Sequence, residues 1–215
     1  MRLTGRVTHR GAPQPGARVL WLTPDLGASA AFGESGDDGG FVLDGPADAT
    51  AAVILARLRG PAMGAVHARV SFPAPGPLTL DLAASAPVWP VTVVARGDVP
   101  PQLTLLLGPE QIPGFPPDAL EWTYRCDAQT NEPFAVWTLD DGRTELELQE
   151  GVWRLLATHA EGARVRGLGT RRSIWRTVGA RFGDGAPLPC DPTGVRVEIR
   201  GPVTIELEIE RAEQA

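Results

Sequence analysis

The chain resembles itself, and that repeat limits the folds open to it more than any other feature. Residues 66–83 read VHARVSFPAPGPLTLDLA and residues 193–210 read TGVRVEIRGPVTIELEIE. Each passes from a short β-like stretch through Gly-Pro into an apolar/polar alternation: Gly76, Pro77, Leu78, Thr79, Leu80, Asp81, Leu82 against Gly201, Pro202, Val203, Thr204, Ile205, Glu206, Leu207. Earlier, GRVTHRGAPQPGARVLWLTP (5–24) parallels VTVVARGDVPPQLTLLLGP (91–109). Between them, SGDDGGFVLDG (35–45) and LDDGRTELELQEG (139–151) each feed an Asp-Asp-Gly turn into a strand pattern. Three matched segments in one order predict two copies of one domain, 1–85 and 86–215, joined near ASAPVWP.

The alternation has period two. Val203, Ile205, Leu207 and Ile209 fall on one face of a strand, and Thr204, Glu206, Glu208 and Glu210 on the other. Leu146 and Leu148 alternate in the same way with Glu145, Glu147 and Gln149. Strands that bury one face and wet the other belong to antiparallel sheets, and outward glutamates discourage edge-to-edge pairing. Gly 25 and Pro 21 in 215 residues supply the turns that many short strands need. Only PDALEW (117–122) reads as a turn of helix. The predicted class is all-β, two tandem antiparallel β-sandwiches of transthyretin or immunoglobulin type, the second carrying two long loop insertions.

Charge and composition exclude several functions. Every one of the 20 basic residues is Arg, so Schiff-base and phosphate-loop lysine chemistry is closed to the chain. A net charge of −6 is the wrong sign for a general nucleic-acid binder. No apolar run reaches the ~20 residues of a membrane span. The start, MRLTGRVTHRG, has no apolar signal core, so the expected location is cytoplasmic, with signal-independent secretion as part of an assembly as the other route.

The stretch LTGRVTHRGAPQPGARVLWL followed by DDGGFVLDGP resembles the carboxypeptidase-regulatory-like, or transthyretin (prealbumin)-like, β-sandwich family. The matching positions are Gly5, Arg6, Val7, then Gly11, Pro13, Gly16, Ala17, and then Ser35, Asp38, Gly39, Phe41, over about 85 residues. The second copy keeps Asp141 and Gly142 and a similar LQEGVWRLLA strand, but has Pro100 and Pro101 where the family has its Gly-Ala turn. The resemblance implies a β-sandwich used as a rigid spacer, a carbohydrate-binding module or an interaction domain; it does not choose among them.

The copies differ most in two insertions, at about 109–137 and 166–194. These hold Phe115, Trp122, Tyr124, Phe134, Trp137, Trp175 and Phe182, seven of the thirteen aromatics, and the second adds Arg166, Arg171, Arg172, Arg176 and Arg181 with no acid from 162 to 183. Loops of this length are often functional. Trp and Tyr faces with Arg forks suit protein hot spots, sugars and anions alike. The candidate binding residues are Trp122, Tyr124, Arg171, Arg172, Trp175 and Arg176; the alternative is that the insertions fold onto the sandwich as a satellite core. Residues 1–85 carry seven Arg and seven acids, and 86–215 carry thirteen Arg and nineteen acids, so the second copy is the polarised one.

No constellation points to catalysis. His9, His67 and His159 have no second histidine at metal-ligand spacing, and neither do Cys126 and Cys190, one in each insertion. The two cysteines read as partly buried thiols, or as a disulfide between the insertions if oxidised. The Asp-Asp-Gly runs are hairpin chemistry before they are calcium ligands, lacking the EF-hand alternation. No nucleophile elbow or phosphate loop is present. The expectation is a non-enzymatic structural or adaptor protein without cofactor or metal, binding a protein partner through the second copy; the alternative is a module for a carbohydrate or anionic polymer.

Overall fold

A computed structural model of the chain describes residues 1–60, 62–100, 102–120, 135–159, 175–183 and 185–211. The chain is all-β and built as tandem β-sandwiches, as the sequence predicts. It divides into two compact units: Met1–Val88 with the segment that begins at Ile112, and Trp89–Gln111 with the chain beyond residue 127.

The first unit contains β1 (Arg2–His9), β2 (Ala12–Pro13), β3 (Arg18–Leu22), β4 (Ser29–Glu34), β5 (Gly40–Asp44), β6 (Ala51–Arg59), β7 (Ala62–Ser71), β8 (Leu78–Asp81) and the short helix α1 (Leu82–Ser85). One sheet places β1 between β5 and β8, with β2 folding back on the end of β1; the other runs β4-β3-β6-β7. Inward residues of both sheets, among them Leu3, Val7, Trp21, Phe41, Leu43, Ile54 and Leu80, form one buried cluster. Each such side chain contributes about 1.5–3 kcal/mol by leaving water.

Several of the residues that carry the family resemblance have an identifiable structural role. Gly5 lies between Phe41 on β5 and Leu78 on β8, and a Cβ there would stand 2.4 Å from the Leu78 carbonyl oxygen and 2.5 Å from the Phe41 ring. Only glycine lets the three strands close at that point. Ser35, buried, accepts the Ala17 amide at 2.9 Å and donates to the Gln14 carbonyl, which pins the turn before β3. The Asp38 carboxylate accepts the Gly40 amide at 2.9 Å, the side-chain-to-backbone bond that suits Asp to turns.

Asp81 is the hub of the open end. Its carboxylate accepts from the Thr8 hydroxyl (2.7 Å) and from the amides of Gly11 (3.0 Å), Ala83 (2.9 Å) and Arg10 (3.3 Å), tying the β1–β2 turn to the N-terminus of α1. Burial alone raises its pKa, but the bonds from Thr8, Gly11, Ala83 and Arg10 outweigh it and hold the carboxyl below its ordinary value of 3.8.

The second unit contains β9 (Val88–Gly97), β10 (Gln102–Gln111), β11 (Ala135–Asp140), β12 (Arg143–Gln149), β13 (Gly151–His159), β14 (Trp175–Phe182), β15 (Cys190–Asp191), β16 (Gly194–Ile199) and β17 (Val203–Arg211). Its pairings repeat those of the first. The order β17-β9-β12 corresponds to β8-β1-β5, and β11-β10-β13-β16 to β4-β3-β6-β7. The turn between β11 and β12 is the two-residue Asp141–Gly142, with φ of 50° and 72°, the left-handed pair a tight hairpin requires. On β17, Ile205, Leu207 and Ile209 are buried while Glu208 and Glu210 face water, as the alternation predicts.

Three features depart from the sequence expectations. Each unit contains a parallel pairing where an all-antiparallel sandwich is expected: β8 runs parallel to β1, and β17 parallel to β9. Gln149, expected outward, is buried, because the alternation ends there in a tight turn and its carbonyl accepts the indole N–H of the buried Trp153 at 2.8 Å. Part of the second expected loop is strand, β14 and β15.

The Asp81 geometry sets a pH-dependent test. A carboxyl whose folded pKa is lowered contributes its full stabilisation above its ordinary pKa and loses it as pH falls through the lowered value. Asp81→Ala is expected to cost about 1–3 kcal/mol at pH 7, the scale of hydrogen bonds to a charged group. The Tm gap to wild type should shrink as the pH drops below the carboxylate range; an equal gap at pH 7 and pH 3 contradicts this role.

Candidate functional site

The two units share one strand plan, so whatever the second has in addition is not required to close a sandwich of this kind. Those additions are β14, β15 and the return segment 185–190 between them. β14 lies outside β17, paired from Trp175↔Arg211 to Phe182↔Ile205, and touches the end of β13 through Thr158↔Arg176 and His159↔Trp175. Thr177, buried, anchors it: its hydroxyl accepts the Ala157 amide at 3.2 Å and donates to the Ala157 carbonyl at 3.3 Å. The return segment runs back along the outer side of β14, with the Leu188 amide on the Ala180 carbonyl at 2.8 Å and an isolated bridge between Arg181 and Pro187.

This construction leaves a cleft of about 620 Å³ on the outward face of β14, β17 and β9. At its floor Glu206 accepts one N–H from Arg96 (3.0 Å) and one from Arg181 (2.8 Å). Hydrogen bonds from Arg181 and then Arg96 hold the Glu206 carboxyl below its usual pKa. The apolar wall comes from Val178 and Leu188. Val178 sits at a β-bulge, where the register with β17 slips between Thr177 and Gly179, and is 36% exposed. A bulge re-aims the side chain it carries.

Beside the cleft a second ionic framework fixes β15. Arg154 on β13 donates to Glu110 on β10 and, at 3.1 Å, to both carboxylate oxygens of Asp191; Arg196 on β16 reaches Glu110 at 3.0 Å. Hydrogen bonds from Thr193 and Arg154 lower the Asp191 pKa. Cys190, on the cleft wall, carries a free thiol that donates weakly to the Thr177 carbonyl at 3.8 Å. Burial first, and the Asp191 charge second, push its pKa above 9.0, so the thiol stays protonated at neutral pH.

Of the residues expected to bind, Trp175 and Arg176 open β14. Trp175 is half-buried with the Arg211 guanidinium 5.4 Å from its ring centroid, a cation–π distance. Arg176 pairs through its backbone with Glu210 and Thr158. Trp122, Tyr124, Arg171 and Arg172 lie outside the described residues, as does Cys126. Among the other insertion aromatics, Phe115 is core: with Ile112, Ala119 and Leu120 it packs on Leu20, Leu22, Val53 and Leu55 of the first unit, edge-on to His67 at 4.7 Å between ring centroids. Residues 117–120 are helical, as PDALEW suggests. Burial, with help from Arg69, lowers the His67 pKa and keeps that ring neutral. The satellite-core reading therefore describes 112–120.

Sequence reasoning missed Arg96 and Glu206 as site residues, because they meet Arg181 only once three strands distant in the chain are side by side. The signal was present in Glu206 as an outward residue of an alternating strand, but its neighbours are set by register. Among the described residues, no group of three or more His, Cys, Asp or Glu side chains is placed to hold a metal ion. No helix there is long and apolar enough to cross a membrane.

No protein-family model matches the chain, and no curated protein matches it. Solved structures to which the chain is similar include the TIE protein of Bacillus anthracis (8% identity, TM-score 0.31), of which this chain covers 34% while 98% of its own length is matched. The shaft pilin spaA of Lactobacillus rhamnosus GG is matched over 100% of both chains at 10% identity and TM-score 0.29. A minor pilin of Streptococcus agalactiae is matched over 100% of this chain and 97% of its own at 11% identity and TM-score 0.29.

The Cys190 environment gives a direct test. In the folded protein at pH 7.5, iodoacetamide should label the Cys190 peptide several-fold more slowly than in urea, with the rate still rising above pH 9, because the thiolate is the reactive form. Labelling that is complete and level by pH 8 contradicts the raised pKa.

Proposed function

We propose that this is a non-enzymatic structural or adaptor protein that holds a protein partner, within a larger assembly, through the second unit. The observation that carries the reading is internal. Two units with the same strand plan differ in that the second adds β14, β15 and a return segment, buttressed by shared carboxylates at Glu206 and Glu110. The finer kinship, to the carboxypeptidase-regulatory-like or transthyretin-like sandwich, belongs to the same proposal and rests on Gly5, Ser35, Asp38 and Phe41, whose packing explains why those residue types stand there.

The binding residues proposed from the sequence, Trp122, Tyr124, Arg171, Arg172, Trp175 and Arg176, belong to or flank the material added in the second copy, and Trp and Arg are the side chains that dominate protein hot spots.

Capture from the source lysate with wild type, Trp122→Ala and the Arg171→Ala/Arg172→Ala double variant tests this. A stoichiometric protein should be recovered by wild type and lost with either variant, while Tm stays within about 2 °C, as for surface changes. A large fall in Tm with the partner retained would make those residues core. A folded wild type that captures nothing contradicts the reading and favours a carbohydrate or anionic polymer as the ligand.

A further inference from the structure

We infer that the cleft on β14, β17 and β9 is a docking site for an extended segment of a partner protein that presents one carboxylate next to an apolar side chain. This deepens the protein-binding reading above and rests on it.

The carboxylate specificity comes from the two arginines. A guanidinium has five N–H donors. Glu206 takes one from Arg96 and one from Arg181, and among the described residues neither guanidinium makes another hydrogen bond. Their side chains remain 61% and 58% exposed, whereas Glu206 is 15% exposed. Glu206 thus draws two positive, largely exposed forks together while each keeps N–H donors that Glu206 does not take. One incoming carboxylate fits between them in the fork-to-oxygen manner arginine favours. Glu208 lines the same cleft over Gly179, and among the described residues it has no ion-pair partner. Arg96, Arg181 and the Glu206 they share carry a net +1, which one added carboxylate matches, and the nearby Glu208 disfavours a second.

The apolar requirement comes from Val178 and Leu188, which line the same cleft. Val178 is one of four exposed large hydrophobic side chains among the described residues, and the bulge in β14 is what turns it outward. Leu188 stands beside it because the return segment is hydrogen-bonded to the Ala180 carbonyl. Each of these devices, the bulge, the return segment and β14 itself, belongs to the material that the first unit does without. An extended peptide in the cleft meets both the paired arginines and the Val178 and Leu188 side chains.

Fluorescence anisotropy with a labelled peptide of alternating serine and leucine carrying one central glutamate tests the assignment, using the full-length protein and the glutamine version of the peptide as control. Binding should weaken with added salt, and Arg96→Gln/Arg181→Gln should lower affinity at least about ten-fold, the scale of losing charge-assisted forks. Val178→Asp should weaken it comparably by placing a negative charge on the wall. Arg143→Gln/Arg200→Gln, which removes two exposed arginines elsewhere in the unit, should leave it unchanged. Equal binding of the glutamate and glutamine peptides, an unaffected Arg96→Gln/Arg181→Gln variant, or no binding to wild type overturns the proposal. A lysate partner captured equally by wild type and by Arg96→Gln/Arg181→Gln keeps the protein-binding reading and removes this site from it.

Discussion

In each sandwich the last strand lies parallel against the first, and the remaining strands are arranged around that pair. The ladder from Gly5↔Leu78 to Thr8↔Asp81 closes the first unit, and the ladder from Val203↔Val91 to Ile209↔Gly97 closes the second. A parallel pair cannot be joined by a hairpin, so each closing ladder joins residues more than seventy positions apart in the chain. In the second unit the dependence goes further. β17 is flanked by β9 on one side and β14 on the other, so Glu206 meets Arg96 and Arg181 only because β17 sits between their strands.

Much of this architecture is legible in the residues. The Gly-Pro stretches at 76–77 and 201–202 precede the two closing strands, and the alternation after them gives the buried face of β17 residue by residue. Asp141 and Gly142 form the hairpin their residue types announce. What the sequence hides is pairing direction, since an alternating strand looks the same beside a parallel or an antiparallel neighbour. The cover on Leu20, Leu22, Val53 and Leu55 left a trace, because VLWL and AAVILA are continuous apolar runs of the kind that strands buried on both faces show. The insertion arginines and aromatics were visible as a composition; the cleft was not, because Arg96 and Glu206 lie on strands that read as ordinary sandwich.

A chain whose only strong cations are arginines uses them in a consistent way here. On the outward faces of the second unit, one carboxylate is twice shared by two guanidiniums: Glu206 by Arg96 and Arg181, and Glu110 by Arg154 and Arg196. An exposed ion pair alone contributes little, about 0–1 kcal/mol. Shared carboxylates orient forks on neighbouring strands, which a lysine ammonium with no planar geometry would not do. The same positioning that fixes β15 against β13 also fixes the donors of the cleft.

Hydrogen–deuterium exchange on the intact chain tests the closing ladder most directly. If β17 is locked between β9 and β14, amides in 203–209 should be protected to the same degree as those in 91–97, and both far more than those in 185–190, whose backbone is held by few bonds. Exchange in 203–209 as fast as in 185–190 would contradict the ladder, and with it the placement of Glu206 between its two arginines.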